Sequence, residues 1–204
     1  MMRPLISLLT LFLLAGCGPS DGNGAKAPVA PATEANLPAD AADAAPAYSA
    51  SEGGVGPVSA GTPFSPEAVA ALFPGSEVKA AFQNQEGVEA PILTVKGPGE
   101  LVLEIQEGYK KGKVGRVLVQ GGPVVGPRGE AILDPWTSIG FARKDCLLGV
   151  KGHVLCRRPG APSLAYVFAI PGFVGEVEAP PPPEALLAEK AFLQAFLWQA
   201  PLAS

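Results

Sequence analysis

Hydrophobic and polar positions alternate most cleanly around Leu101, Leu103 and Ile105, which are interleaved with Val102, Glu104 and Gln106. That period of two predicts a half-buried β-strand. Further strands are expected over Ile92–Val95, Arg116–Gln120, Val154–Arg157, Leu164–Ile170 and Phe192–Trp198, with turns at Gly97-Pro98-Gly99 and from Gly108 to Gly112. Two segments carry helix-start chemistry. Thr62-Pro63-Phe64-Ser65 and Asp134-Pro135-Trp136-Thr137 both read polar, proline, aromatic, hydroxyl. Ser65 and Thr137 are placed to cap a following helix, and each aromatic is placed to staple onto Val69 or Phe141. Pro66 and Glu67 suit the first turn, and Pro74-Gly75 ends that helix. Residues 184–190 favour a short helix, preceded by four prolines at 180–183 that form a stiff extended lead-in. Each half therefore reads as a helix followed by a meander. The expected fold class is α+β, a tandem repeat of short helix plus antiparallel β-meander, with one unit over residues 61–125 and another over 131–200.

Composition changes the picture at the N-terminal end. Gly and Pro supply 25 and 23 of the 204 residues, yet 48% of the chain is hydrophobic. Order-breaking and core-forming residues must then be segregated along the chain. Residues 18–60 are mostly Ala, Pro, Gly and Ser, with Leu37 and Tyr48 isolated. Such a stretch is expected to be a disordered tether reaching roughly 35 Å on average. Ahead of it stand Met1-Met2-Arg3 and an apolar run from Leu5 to Leu14. The run is too short to cross a bilayer but suits the core of a secretory signal. Leu14-Ala15-Gly16-Cys17 resembles the lipobox of bacterial lipoproteins. That resemblance implies cleavage before Cys17, a diacylglyceryl group on its sulfur and an acylated new N-terminus. Several acyl chains make a stable anchor where one is marginal. Gly18 stands where an Asp would mark inner-membrane retention, which favours an outer-membrane lipoprotein facing the periplasm. The expected organisation is a signal peptide over 1–16, a lipidated N-terminus and tether over 17–60, and a single domain over 61–204.

Residues from about 55 onward resemble the RpoE-regulated lipoprotein family of Gram-negative envelopes. The features that carry the resemblance occur in order: the lipobox Cys17, Gly56 with Thr62-Pro63, Pro66 to Leu72, the strand pair around 101–119, Ile132 to Ile139, the pair Cys146 and Cys156, and the terminal Leu197-Trp198. The resemblance implies an envelope location and stress-linked expression. It brings no established biochemical activity with it. The longer Ala/Pro tether and the proline run at 180–183 depart from the family pattern.

Setting aside Cys17, two cysteines remain. In an exported protein the first reading of Cys146 and Cys156 is a disulfide closing a loop of about 11 residues. The sharper reading adds His153 to make a Cys-His-Cys metal site, but it lacks a fourth ligand and fits no standard zinc spacing. No metal and no cofactor is expected. His153 is the only histidine. Ser138, His153 and Asp145 supply the residue types of a hydrolytic triad, without a Gly-x-Ser-x-Gly elbow. Gly121-Gly122-Pro123 and Gly126 to Gly129 lack the Lys-Ser/Thr of a phosphate loop. Glu100, Glu104 and Glu107 read as solvated charges on a strand face. Lys110, Lys111, Lys113 and Arg116 read as a basic hairpin turn, with anionic lipid as the sharper alternative. The net charge of −4 argues against a nucleic-acid partner. The expected function is a non-catalytic binding or structural role in the periplasm, with a protein or cell-wall partner. The alternative is a periplasmic hydrolase with an unrecognised site.

Overall fold

Strand-forming sequence closes here into one large antiparallel sheet. The computed structural model describes residues 47–202, apart from 86 and 176–178, and these all lie within one unit. The signal segment, Cys17 and most of the expected tether lie outside the described residues. In chain order the elements are β1 (Tyr48–Ser51), β2 (Gly54–Val55), α1 (Pro66–Leu72), β3 (Glu77–Gln85), β4 (Val88–Gly97), β5 (Leu101–Glu107), β6 (Val114–Gly121) and β7 (Val124–Val125). They continue with α2 (Trp136–Ile139), β8 (Cys146–Leu148), β9 (Val154–Arg157), β10 (Leu164–Ala169), α3 (Glu184–Lys190) and β11 (Phe192–Gln199). The large sheet has the order β3-β4-β5-β6-β11-β10-β9-β8, and a small one has the order β2-β1-β7.

The expected repeat of helix plus meander is therefore corrected. Among the described residues 44% are strand and 18% helical, and the architecture is a continuous eight-stranded antiparallel sheet with a three-stranded one. The physical reason lies in the second helix start. At the first, Ser65 does cap α1, its Oγ accepting from the Ala68 N–H at 3.2 Å. At the second, Pro135 occupies the cap position, the Ser138 hydroxyl donates back to the Pro135 carbonyl, and Gly140 at φ 71° ends the helix after a single turn. Thr137 caps nothing. Trp136 does meet Phe141, with ring centroids 6.3 Å apart, but as part of the core rather than as a staple on a longer helix.

One face of the sheet is the core face. Leu103 opposes Val119 across β5 and β6, Val119 opposes Phe196, Phe196 opposes Tyr166, and Tyr166 opposes Cys156. Helices α1 to α3 and the small sheet bring Val69, Phe73, Trp136, Ile139, Leu187, Ala50 and Val55 into the same buried cluster. Trp136, Phe141, Tyr166, Phe168 and Phe196 meet edge-on or tilted, with centroids 4.9 to 6.3 Å apart, which adds to what burial alone contributes. Arg143 donates to the carbonyls of Pro181 and Pro182, so the proline run before α3 is strapped to the domain.

Strand structure begins at Tyr48, inside the stretch expected to be tether. Val55 and Val58 are fully buried although their neighbours are Gly, Pro and Ser. Cys146 and Cys156 are direct cross-strand partners on β8 and β9, and they are bonded to each other. A double variant Cys146→Ala, Cys156→Ala is expected to lose up to about 3 kcal/mol of stability. Urea unfolding under non-reducing conditions measures this, and an unchanged midpoint would mean that the bridge clamps nothing.

Candidate functional site

The other face of the sheet carries Gln83, Glu104, Gln106, Arg116, Leu118, Leu155, Val167, Ala195 and Leu197, offset by one residue from the core positions on each strand. Gln83 of β3 and His153, at the start of β9, line one cleft of about 340 Å³. Those strands are six places apart in the sheet, which in a flat sheet would separate them by about 29 Å. The sheet therefore curls, and this face is its hollow. Leu118 and Leu197 face each other across β6 and β11, and Val167 faces Leu155 across β10 and β9, giving an apolar floor. Gln120 and Gln194 stand exposed beside it.

Toward the β5–β6 hairpin the hollow continues into a wider cleft of about 1120 Å³ bounded by Tyr109, Lys110, Ser163, Gln199 and Leu202. Arg116 lines both clefts. Its ladder neighbours are Gln106 on β5 and Gln199 on β11. Arg116 Nε is buried and has no acceptor, a state that costs about 1–3 kcal/mol. Burial holds this guanidinium below its ordinary range, and Glu104 on the adjacent strand pulls the other way. Glu104 does not close on it: its carboxylate accepts from Gln106 Nε2 at 2.8 Å, and among the described residues no ion pair involves Arg116. The same Gln106 amide donates to Gln83 Oε1 at 3.0 Å.

Likeness to known proteins adds the fold. Among solved structures the chain is similar to the uncharacterized protein yfeY from Escherichia coli, with 20% sequence identity and a TM-score of 0.59 over 74% of this chain and 99% of that one. At that identity the likeness shows a shared fold alone. No family model matches the chain, and no curated protein is significantly similar to it.

A second polar cluster is buried on the core side. Glu130, 6% exposed, accepts from Arg158 at 2.7 Å, from the Tyr166 hydroxyl at 3.1 Å and from the Arg128 N–H at 2.8 Å. Gly126 makes room for it, since a Cβ there would lie 2.5 Å from Glu130 Oε2. Burial pushes the Glu130 carboxyl up, but the hydrogen bonds from Arg158, Arg128 and Tyr166 outweigh it and leave the group below its ordinary value. Burial is also the main reason that Tyr166 is pushed up to about 12. Arg158 stacks over the rings of Phe141 and Tyr166, at 4.6 and 5.4 Å from the centroids. Each residue is held by others of the cluster, with Arg158 Nε its one buried atom left without an acceptor, and the arrangement ties the 126–130 loop to β9 and β10.

The residues singled out from sequence fare unevenly. The Cys146–Cys156 bond occupies both sulfurs, so neither is available to a metal with His153. His153 sits at the rim of the smaller cleft with Nδ1 3.0 Å from the Val150 carbonyl. Ser138 points to Pro135 instead. Glu107 accepts from the Gly112 N–H, and Lys113 donates to the Gly61 carbonyl at 3.0 Å. Arg116 leaves the basic turn altogether and faces the hollow of the sheet. The signal that marks it was present in the alternation along β6: it shares a face with Leu118 and Gln120, whereas the lysines belong to the hairpin tip.

Proposed function

We propose that this chain is an envelope lipoprotein, anchored in the outer membrane through lipid on Cys17, whose sheet cleft binds a partner in the periplasm without catalysing a reaction. The observation that carries the binding part is the open hollow of the sheet, walled mainly by amides and aliphatic side chains around one guanidinium, with Lys151 and His153 also in its lining. Amides, aliphatic groups and a guanidinium hold and orient a ligand, and His153 stands at the rim of the cleft with Nδ1 turned to the Val150 carbonyl. The complete lipobox after an apolar run supports the anchor. The resemblance to the RpoE-regulated lipoprotein family supports the envelope location and the stress link, and the fold shared with a protein of Escherichia coli is in keeping with it.

Complementation of a deletion strain tests both parts. Cys17→Ser is expected to leave an unprocessed precursor that does not fractionate with lipid-modified protein. Gln194→Trp fills the cleft from an exposed position and is expected to abolish complementation while the protein stays folded and abundant. His153→Ala is expected to complement normally. The reverse pattern, with His153→Ala inactive and Gln194→Trp active, would replace binding with catalysis.

A further inference from the structure

We infer that the cleft takes an extended acidic peptide segment and that one of its carboxylates docks on the guanidinium of Arg116. This rests on the binding role proposed above and supplies its ligand chemistry. Arg116 is where the two clefts meet, so a chain passing from one to the other must cross it. Its Nε is buried without an acceptor, its ladder neighbours Gln106 and Gln199 are amides, and no carboxylate among the described residues forms an ion pair with it. Glu104 favours the cation from the adjacent strand, but its carboxylate is held by the Gln106 amide and does not close on the guanidinium. A planar guanidinium in that state matches a carboxylate, which accepts two parallel hydrogen bonds and supplies a directly paired countercharge.

The surroundings favour a peptide as the carrier of that group. Although the whole chain has net charge −4, the smaller cleft is lined by Arg116 and Lys151 with no acidic residue among its described lining, so its charge is complementary to an acid. Gln120 and Gln194 offer amide donors and acceptors of the kind that pair with a peptide main chain, and Leu118, Leu155, Val167 and Leu197 offer apolar contact between them. No Trp, Tyr or Phe belongs to that lining, so a planar ring or sugar finds no aromatic platform there.

An array of synthetic nonapeptides containing Glu or Asp, each paired with its Gln or Asn counterpart, tests this against the full chain in detergent. Acidic peptides are expected to bind at least tenfold more tightly than their amide counterparts. Arg116→Gln is expected to erase that difference, and Arg116→Lys, which keeps the charge but not the fork, to restore only part of it. Should Arg116→Gln fail to fold, the Lys variant and the peptide pairs decide the matter. Equal binding of acidic and amide peptides, or no peptide retained, overturns the inference. Binding that Gln194→Trp removes but Arg116→Gln does not also overturns it while sparing the binding role of the cleft. Binding that neither variant touches removes both.

Discussion

A chain beginning at residue 61 is expected to unfold far more easily than one beginning at residue 47. The deleted segment supplies β1 and β2 and buries Ala50, Val55 and Val58 completely. It also supplies Glu52, whose carboxylate accepts from the N–H groups of Ser163 and Leu164, both at 2.9 Å, and whose carbonyl accepts from Trp198 Nε1 at 3.0 Å. Burial of two valines is worth about 4 kcal/mol, and each hydrogen bond to a charged group about 1.5–3 kcal/mol. The expected loss of about 5 kcal/mol or more is comparable with the whole stability of many domains. Urea unfolding of the two chains measures it directly. Equal midpoints would show that the domain starts where composition suggests and that the β1–β2 segment is only draped on it.

Glu130→Ala is expected to cost about 3 kcal/mol, because it strips the carboxylate from Arg158, whose side chain is only 15% exposed. The pair is 2.7 Å apart with side chains 6% and 15% exposed, so water does little for a cation left with the Ile139 carbonyl and two ring faces. Tyr166 and the 126–130 loop lose their acceptor in the same step. A fall in Tm of about 10 °C is the corresponding thermal signature. The pH dependence has a definite sign. The folded-state value of Glu130 lies below its ordinary 4.5, so its contribution is fully present above that value and disappears as the pH falls through the lower folded value. The gap between wild type and Glu130→Ala should therefore be wide at pH 7 and begin to close only below about pH 4.5, as the pH falls toward the lower folded value. A gap independent of pH would mean that the carboxylate's charge is not what stabilises the cluster.

How much of this was legible in the sequence depends on whether the signal was local. Leu101 to Glu107 alternates strictly because one of its faces is core and the other is the half-open hollow. The end of α3 at Lys190 and the start of β11 at Phe192 reflect helix formers giving way to a strand rich in large apolar residues. Strand β3 escaped notice because Lys79, Phe82 and Asn84 are exposed on an edge strand, where no burial enforces a period. Strands β1 and β2 escaped because four buried positions were averaged into a long run of Ala, Pro, Gly and Ser. The repeat looked plausible because two four-residue motifs share a composition. Whether a helix extends past its first turn depends on the residues beyond that turn, and Gly140 stops the second one. The Glu130–Arg158–Tyr166 cluster spans residues 28 and 36 positions from Glu130, and nothing in a single sequence pairs groups so far apart. The same is true of the hollow: the alternation along β6 places Arg116 opposite the core, but only the curl of the whole sheet turns that face into a cleft.

Photocrosslinking in intact envelopes tests the central claim most directly. A benzophenone side chain in place of Gln120 lies in the cleft, and one in place of Leu133, which is 71% exposed, lies outside it. If the cleft binds a partner, position 120 gives a discrete adduct, the adduct is lost when Gln194→Trp is added, and position 133 gives none. An adduct from position 133 with nothing from position 120, or an adduct at 120 that the added Trp leaves intact, would contradict it.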